Sequence, residues 1–205
     1  MITSQTTESL LLSAERIRRG GVIAFRTDTF YGLGADPFNQ TAVQKILTLK
    51  GREDGKPILV LISDREHLDR LISQRSAGFD LLAKEFWPGP LTLIGAVAAD
   101  LPPELTAGTK SVGVRLPDDD RVCDLVRACG GALTATSANP SGLPPARTAA
   151  DVHQYFGEQI ELVIDGGATG VEQPSTVVDV TTPDAKLIRE GIISWPRIHA
   201  SLAQL

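Results

Sequence analysis

The sequence predicts an α/β fold in which helices pack on a mixed β-sheet, and three observations predict it. Short apolar runs typical of buried strands recur along the chain, and most are separated by segments with apolar residues at helical spacing. Several strands nevertheless follow one another directly, which favours a mixed sheet over a doubly wound parallel one. The 205 residues are 42% hydrophobic and 22% charged, a balance typical of one globular domain with a buried core. We therefore expect a single domain over residues 1–205, with no interdomain linker.

Helices and strands alternate in the first half of the chain. A helix over residues 8–19 is predicted to end at Gly20 and Gly21, because paired glycines after the last periodic residue favour a helix C-terminus. A buried strand over residues 22–25 leads into a predicted turn over residues 27–34. The next predicted elements are a helix over residues 41–49, a strand over residues 57–62, a helix capped by Asp64 with Leu68, Leu71 and Ile72 on one face, and a helix marked by Phe79, Leu82, Ala83 and Phe86.

Strands are more frequent in the second half. A strand over residues 132–136 leads directly into a polar turn at residues 137–142, and residues 140–145 are predicted to form a loop rather than a domain boundary. The other predicted elements are strands over residues 91–97, 111–116, 162–164, 176–180 and 186–189, a helix marked by Val122, Leu125, Val126 and Cys129, a helix capped by Thr148, and a short helix from Ser194.

Charge and cysteine usage exclude several classes of protein. A net charge of −5 disfavours a protein that coats nucleic acid, because such domains carry a basic field, but it permits a local basic pocket. Cys123 and Cys129 lie six residues apart on different faces of a predicted helix, so we expect neither a disulfide nor a metal site. Because the sequence shows no secretion signal and no apolar run of membrane-spanning length, we expect a cytoplasmic protein that does not engage a membrane.

Two glycine-containing segments come close to nucleotide-binding motifs, and both are rejected. Residues 51–57 resemble a P-loop, but the spacing is one residue short and Pro57 stands where a magnesium-binding hydroxyl belongs. Gly32 and Gly34 follow a strand as in a dinucleotide-binding fingerprint, but Pro37 stands in place of the third glycine.

A basic group at the end of the helix over residues 41–49 is the first candidate site. Lys50, Arg52 and Lys56 lie in and beside a glycine-containing loop. Lysine presents a point charge, and arginine presents a planar fork that suits phosphate oxygens. The alternative is a solvated helix end, where the C-terminal dipole favours cations. The basic group alone leaves both interpretations open.

Ser137 and Asn139 form the second candidate site, directly after a predicted strand. Their hydroxyl and amide can face a ligand, although Ser, Asn, Pro and Gly also form ordinary turns. Together with the basic group, they suggest the two walls of a pocket for a polyanion, and therefore chemistry on a nucleotide. This hypothesis requires that residues 50–52 and 137–139 lie at one shared cavity.

Other polar residues at strand ends are weaker candidates. Thr29 lies in the turn after a buried strand, and Arg115 ends an apolar strand, where its charge needs an anion or solvent. For Arg115, a structural ion pair is the alternative. Ser175 and Arg189 lie at the start and the end of late strands. The three histidines show no pairing with a serine or cysteine nucleophile, so we interpret them as surface residues.

Seven short segments, taken in order, carry a resemblance to a known protein family. They are residues 27–34, 50–52 with 56–57, 86–92, 112–117, 136–142, 175–179 and 189–191. Together they make the chain resemble the YrdC-like family of threonylcarbamoyl-AMP synthases from about residue 10 to about residue 193. The resemblance implies a twisted, open mixed sheet with helices and a large concave cavity, without the second C-terminal domain of longer members.

The resemblance also implies a reaction and its partners. Such enzymes join L-threonine, bicarbonate and ATP, with Mg²⁺, into threonylcarbamoyl-AMP and release pyrophosphate. A downstream threonylcarbamoyl-transferase protein then passes the group to an adenosine of tRNA. Direct binding of tRNA or double-stranded RNA is a weaker expectation, because the chain is acidic.

The family motifs imply roles for individual residues of this chain. The residues implied to hold the ATP phosphates and to orient the reaction are Lys50, Arg52, Ser137 and Asn139. Further ATP contacts are implied for Lys56 and Arg189, and L-threonine is implied to bind through Arg115, at its carboxylate, with Thr29 and Ser175.

Four residues depart from the family pattern. Arg26 and Glu53 stand where proline is common, Leu61 stands where histidine is often found, and Pro145 replaces a usual serine. These departures affect the first loop, the amino-acid pocket near residue 61 and one adenylate contact, and they leave the cationic core intact.

Two other functions are kept as alternatives. A non-enzymatic RNA-binding or ribosome-associated module would use the same basic concavity, and its RNA affinity would depend steeply on salt. A carbamoyl-transfer domain would use carbamoyl phosphate instead of threonine.

Overall fold

The structure is a computed structural model, and it describes residues 1–51, 56–98, 100–170 and 173–205. Eight α-helices and eleven strands form within these residues. The helices are α1 (Thr7–Arg18), α2 (Gln40–Lys50), α3 (Leu68–Leu71), α4 (Ala77–Phe86), α5 (Pro103–Thr106), α6 (Asp120–Ala128), α7 (Ala149–Phe156) and α8 (Trp195–Leu202). The strands are β1 (Ile2–Ser4), β2 (Ile23–Arg26), β3 (Tyr31–Gly34), β4 (Leu59–Ile62), β5 (Ile72–Gln74), β6 (Leu91–Val97), β7 (Ser111–Arg115), β8 (Ala132–Ser137), β9 (Leu162–Asp165), β10 (Thr176–Asp179) and β11 (Lys186–Arg189).

The strands form one mixed sheet in the order β1-β9-β2-β3-β8-β4-β7-β6-β10-β11, and β5 pairs with β6. The pairs β2 with β9, β4 with β7 and β6 with β10 are parallel. Strand β3 runs antiparallel to both β2 and β8, and β7 runs antiparallel to β6. The predicted α/β fold with a mixed sheet is therefore confirmed.

Side-chain caps set the starts of several helices. The hydroxyl of Thr148 accepts a hydrogen bond from the Asp151 amide and caps α7, as predicted. The predicted cap Asp64 begins a short 3₁₀ turn ahead of α3. At the other end of α2, Gly51 adopts the left-handed conformation with φ of 60°, which glycine adopts without steric cost. Helix α2 thus ends with Lys50 as its last residue.

The sequence pattern misses the strands β1 and β5 and the helix α5, and it assigns strand β3 to a turn. The predicted turn over residues 27–34 is wrong in its second half, because Tyr31–Gly34 form β3 between two partner strands. A Cβ at Gly34 would lie 2.7 Å from the Phe25 ring and 2.8 Å from Leu133. Close packing therefore requires glycine at position 34. Because glycine has no side chain, the strand lacks the alternation of apolar residues from which a strand is predicted. The sequence does not predict β1, β5 or α5, and Ile72, which it assigns to a helix, begins β5.

An apolar cluster lies on each face of the sheet. On one face a large apolar cluster includes Val60, Leu93 and Val114. On the other face, α1 and α6 contribute to a second cluster, in which Leu61 and Leu133 are fully buried. The departure at Leu61 therefore supplies an apolar side chain to packing between sheet and helices.

The two cysteines are free thiols. Burial raises the pKa of Cys129 to about 12, so this thiol stays neutral at physiological pH. Among the described residues, no three or more His, Cys, Asp or Glu side chains are grouped so that they could bind a metal ion. No helix in this part of the chain is both long and apolar enough to cross a bilayer.

Candidate active site

A cavity of about 320 Å³ lies on the sheet face that carries the second apolar cluster. Its floor comes from side chains that alternate with core residues along the strands, so that Thr92 lies between Leu91 and Leu93, and Gly113 between Val112 and Val114. The site residues that the sequence predicts and that line this cavity are Thr29, Arg115, Ser137, Ser175 and Arg189. Five residues from distant parts of the chain thus meet at one cavity.

Arg115 brings a nearly buried charge to the cavity. It is 3% exposed, and its Nη1 donates to both carboxylate oxygens of Asp28 at 2.7 Å. The structural ion pair that was the alternative interpretation is therefore present. Within the described residues, however, the buried Nε of Arg115 has no hydrogen-bond partner. Because an unpaired buried donor is costly, Arg115 retains the capacity to bind an anion in addition to Asp28.

Thr29 is held at the cavity by a turn that Thr27 organises. The hydroxyl of Thr27 accepts hydrogen bonds from the amides of Thr29 at 3.1 Å and Phe30 at 3.2 Å, and lies 3.0 Å from the Thr29 hydroxyl. The hydroxyl-rich segment therefore serves the local turn and the cavity wall together.

Arg189 and Ser175 form another part of the wall. The guanidinium of Arg189 donates to the Ser175 carbonyl from Nε at 3.2 Å and from Nη2 at 2.9 Å, and Nη2 lies 3.3 Å from the Ser175 hydroxyl. Although Arg189 is exposed as a whole residue, partial burial of its guanidinium and then the charge of Arg115 lower its pKa. Two guanidinium groups therefore give this acidic protein a locally positive cavity that suits an anion.

Lys50 joins the two segments that the sequence marks as pocket walls. It is only 2% exposed, and its Nζ donates to the carbonyls of Ser137 and of Asn139, the latter at 2.9 Å. The Ser141 amide in turn donates to the Lys50 carbonyl at 2.8 Å. A solvated helix end is therefore the wrong interpretation for Lys50. Lys50 contacts the segment 137–139, but of these residues only Ser137 lines the cavity, whereas Lys50 and Asn139 lie behind its wall.

The other predicted nucleotide ligands differ in how the structure presents them. Asn139 is 7% exposed, and its Nδ2 donates to the carbonyls of Pro140 at 3.0 Å and Leu143 at 2.6 Å, so its amide also stabilises the turn. Its Oδ1 is buried without a hydrogen-bond partner in the described part of the chain. Lys56 is exposed, whereas Arg52 and the departure Glu53 lie outside the described residues.

Among the cavity-lining residues to which the sequence assigns no role are Tyr31 and Thr92. The Tyr31 hydroxyl lies 2.9 Å from the Gly167 carbonyl and 3.1 Å from Asp165 Oδ1, and burial raises its pKa to about 12. Thr92 is 1% exposed, and its Oγ1 lies 3.1 Å from the Ser175 hydroxyl. For Thr92 the signal is a hydroxyl between apolar residues of a predicted strand, because a buried hydroxyl needs a partner. Tyr31 gives no such signal, because the sequence assigns residues 27–34 to a turn.

Comparison with known proteins identifies the family. The sequence profile of the Sua5_yciO_yrdC family, described as "Telomere recombination", matches residues 15–191. The chain belongs to this family. The resemblance stated from the sequence is thereby confirmed.

Relatives within the Sua5_yciO_yrdC family are named as enzymes. The chain is 36% identical over 194 residues to the threonylcarbamoyl-AMP synthase of Pyrococcus abyssi, across 95% of this chain and 57% of that relative. It is 39% identical over 173 residues to the threonylcarbamoyl-AMP synthase of Thiobacillus denitrificans, across 84% of this chain and 90% of that relative. This family member thus spans little more than half of one relative and most of the other.

The fold also matches a solved structure of the family. The crystal structure of P. abyssi Sua5 complexed with L-threonine has a TM-score of 0.91 to this chain at 34% identity. The match covers 98% of this chain and 59% of that chain.

Proposed function

We propose that this family member is an L-threonylcarbamoyladenylate synthase, a nucleotidyltransferase that makes threonylcarbamoyl-AMP and pyrophosphate from L-threonine, bicarbonate and ATP. Support comes from the two relatives named threonylcarbamoyl-AMP synthase and from the related Sua5 structure that contains L-threonine. The proposal depends on one observation at Arg115, a residue that lines the cavity. Asp28 pairs with Nη1 of its guanidinium, and the buried Nε has no hydrogen-bond partner among the described residues.

The amino-acid end of the cavity is assigned to Arg115, Thr29 and Ser175. A guanidinium offers two parallel N–H groups that match the two oxygens of a carboxylate. Asp28 engages Nη1, so the Nε side of Arg115 is the edge for the threonine carboxylate. The hydroxyls of Thr29 and Ser175 line the same cavity and would donate to the substrate's polar atoms.

The nucleotide end is assigned to the segment 137–139 and to cationic side chains. Ser137 lines the cavity, and Lys50 holds the backbone of this segment through its carbonyls. In this arrangement Lys50 positions Ser137 and Asn139. The cations that would contact ATP are Arg189, Lys56 and Arg52.

The reaction needs no protein nucleophile. The amino group of threonine and bicarbonate form a carbamate with loss of water, and a carbamate oxygen attacks the α-phosphorus of ATP. The bond from the α-phosphorus to the bridging oxygen breaks, and pyrophosphate leaves with the electron pair. Negative charge grows on the phosphoryl oxygens, where Ser137 and the cations would stabilise it electrostatically.

Magnesium would enter the site bound to the phosphates of ATP. A nucleotide-bound Mg²⁺ keeps several waters and needs only one or two protein carboxylates. The described residues contain no group of three or more His, Cys, Asp or Glu side chains that could bind a metal ion without the nucleotide.

The product of this reaction is labile and needs an acceptor. Threonylcarbamoyl-AMP is a mixed anhydride, which reacts readily with water, so a threonylcarbamoyl-transferase protein would consume it and modify adenosine in tRNA. Binding of tRNA or double-stranded RNA by this chain, and its cytoplasmic location, stay predictions.

Pyrophosphate release tests the proposed function. The purified protein, incubated with ATP, Mg²⁺, bicarbonate and L-threonine, should release pyrophosphate, and omission of threonine or bicarbonate should abolish the release. Absence of release above background, with folded protein and all substrates, contradicts the proposal. Turnover with carbamoyl phosphate in place of threonine would favour the carbamoyl-transfer alternative, and salt-dependent RNA binding without ATP turnover would favour the RNA-binding module.

A further inference from the structure

Thr92 is a buried hydroxyl on the cavity floor to which neither the family motif nor the proposed reaction assigns a role. It lies in β6, is 1% exposed and lines the cavity. Its Oγ1 lies 3.1 Å from the hydroxyl of Ser175, a residue 83 positions away in the sequence. A hydroxyl placed so deeply needs a partner, and Ser175 provides one.

The orientation of Thr92 is set by the neighbouring strand. A Cβ at Gly113 of β7 would lie 3.2 Å from Thr92 Cγ2, so the threonine methyl packs over the space that glycine leaves. Threonine is β-branched and has few χ1 states. Once its methyl packs over Gly113, its hydroxyl is held toward Ser175.

The hydrogen-bond capacity of Ser175 then decides where its proton points. A serine hydroxyl donates one hydrogen bond and accepts two. Arg189 Nη2, which can only donate, lies 3.3 Å from Ser175 Oγ and takes one acceptor position. When Thr92 donates into the second acceptor position, the Ser175 proton is left to donate into the cavity.

We propose that Thr92 is a positioning residue for L-threonine, because it directs the Ser175 hydroxyl proton toward the substrate carboxylate beside Arg115. The proposal rests on the proposed function. Thr92 acts through Ser175, so its loss weakens threonine binding more than it slows the chemical step.

Three variants test the role of the hydroxyl. Thr92→Val keeps the shape and removes the hydrogen bond, whereas Thr92→Ser keeps the hydroxyl and removes the methyl. Thr92→Val should raise the KM for threonine about fivefold to tenfold, the worth of one hydrogen bond, and change kcat by less than about twofold. Thr92→Ser should stay within about twofold of wild type in KM. If the valine variant does not fold, Thr92→Ala against Thr92→Ser makes the same comparison.

A double-mutant cycle separates a positioning role from direct substrate contact. In a Ser175→Ala background, Thr92→Val should raise the KM for threonine by no more than about twofold, because its effect passes through Ser175. An undiminished effect of Thr92→Val in that background overturns the proposal.

Other outcomes separate this proposal from the proposed function. Wild-type protein that releases no pyrophosphate overturns both. If the wild-type protein is active and Thr92→Val leaves the KM for threonine unchanged, the positioning role of Thr92 is overturned and the proposed function stands. Equal defects in Thr92→Val and Thr92→Ser assign the effect to packing of the methyl and also overturn it.

Discussion

Lys50 and Arg115 are both almost fully buried cations, yet their partners differ. Lys50 is 2% exposed and donates to the backbone carbonyls of Ser137 and Asn139. Arg115 is 3% exposed, pairs with the carboxylate of Asp28 through one nitrogen and presents a buried Nε with no partner among the described residues.

The difference separates a cation that holds the fold from one that can bind a ligand. Backbone carbonyls are already part of the chain, so the ammonium of Lys50 ties helix α2 to the end of β8. The guanidinium of Arg115 has more donors than Asp28 uses, and a buried donor without a partner favours the arrival of an anion. Burial of a charge alone therefore does not identify a binding residue, whereas an incomplete set of partners at a cavity does.

Removal of Arg115 is the largest expected effect on function. Arg115→Ala should lower kcat/KM for threonine about 100-fold to 1000-fold, because truncation of one member of a buried, hydrogen-bonded charge pair costs about 2–5 kcal/mol. The ATP dissociation constant, measured by calorimetry without threonine, should change by less than about threefold.

An exposed arginine gives the matched control for this variant. Arg127 pairs with Asp124 on α6, and both side chains are 57% exposed. Arg127→Ala should leave kcat/KM for threonine unchanged, because exposed ion pairs contribute little. If Arg115→Ala and Arg127→Ala behave alike, Arg115 is not the anion-binding group.

Removal of the Lys50 ammonium should act first on stability. Lys50→Met keeps an unbranched side chain but removes the ammonium from the carbonyls of Ser137 and Asn139, of which only the Ser137 carbonyl keeps another donor among the described residues, the Asn139 amide. The variant should lower the free energy of unfolding by about 1–3 kcal/mol. Urea denaturation measures this change. Lys84→Met removes an exposed lysine from α4 and should stay within about 0.5 kcal/mol of wild type. Equal stability of Lys50→Met and Lys84→Met would contradict the assignment of Lys50 to the fold.

Tyr31 extends the comparison to a buried neutral group and gives the smallest expected effect. Burial raises the pKa of Tyr31 from 10.0 to about 12. Above pH 10 the unfolded state loses this proton while the folded state keeps it, so stability that is complete below pH 10 falls as the pH rises toward 12. The contribution of Tyr31 should fall by about 1 kcal/mol per pH unit in this window.

The Tyr31→Phe variant isolates this contribution. The difference in unfolding free energy between wild type and Tyr31→Phe should be constant below pH 10 and should shift against wild type above it. A difference that is the same on both sides of pH 10 would show that Tyr31 does not titrate differently in the two states.

The sequence predicted most of the helices and strands, and its failures have a common cause. Strand β6 and helices α2, α4 and α6 have clear apolar periodicity, and each was predicted close to its observed range. The sequence of strand β3 predicts a turn, because two of its four residues are glycines, and a Cβ at Gly34 would lie too close to Phe25 and Leu133. Local pattern fails where packing against another strand selects the residue.

The candidate site shows the same limit. Thr29, Ser137 and Arg115 follow or end apolar strands, which predicts them as site residues, and all three line the cavity. No local pattern indicated that Asp28 would pair with Arg115, that carbonyls would bury Lys50, or that Thr92 would lie beside Ser175.

The order of amino acids sets the periodicity of the helices and strands and supplies the side chains that bind anions or need hydrogen-bond partners. The partner that each side chain contacts depends on the folded arrangement of the whole chain. Arg115 and Asp28 lie 87 residues apart, as do Lys50 and Ser137, and each pair meets because of the order of strands in the sheet. Side-chain chemistry is local, whereas the choice between a structural partner and an open cavity depends on contacts that span the chain.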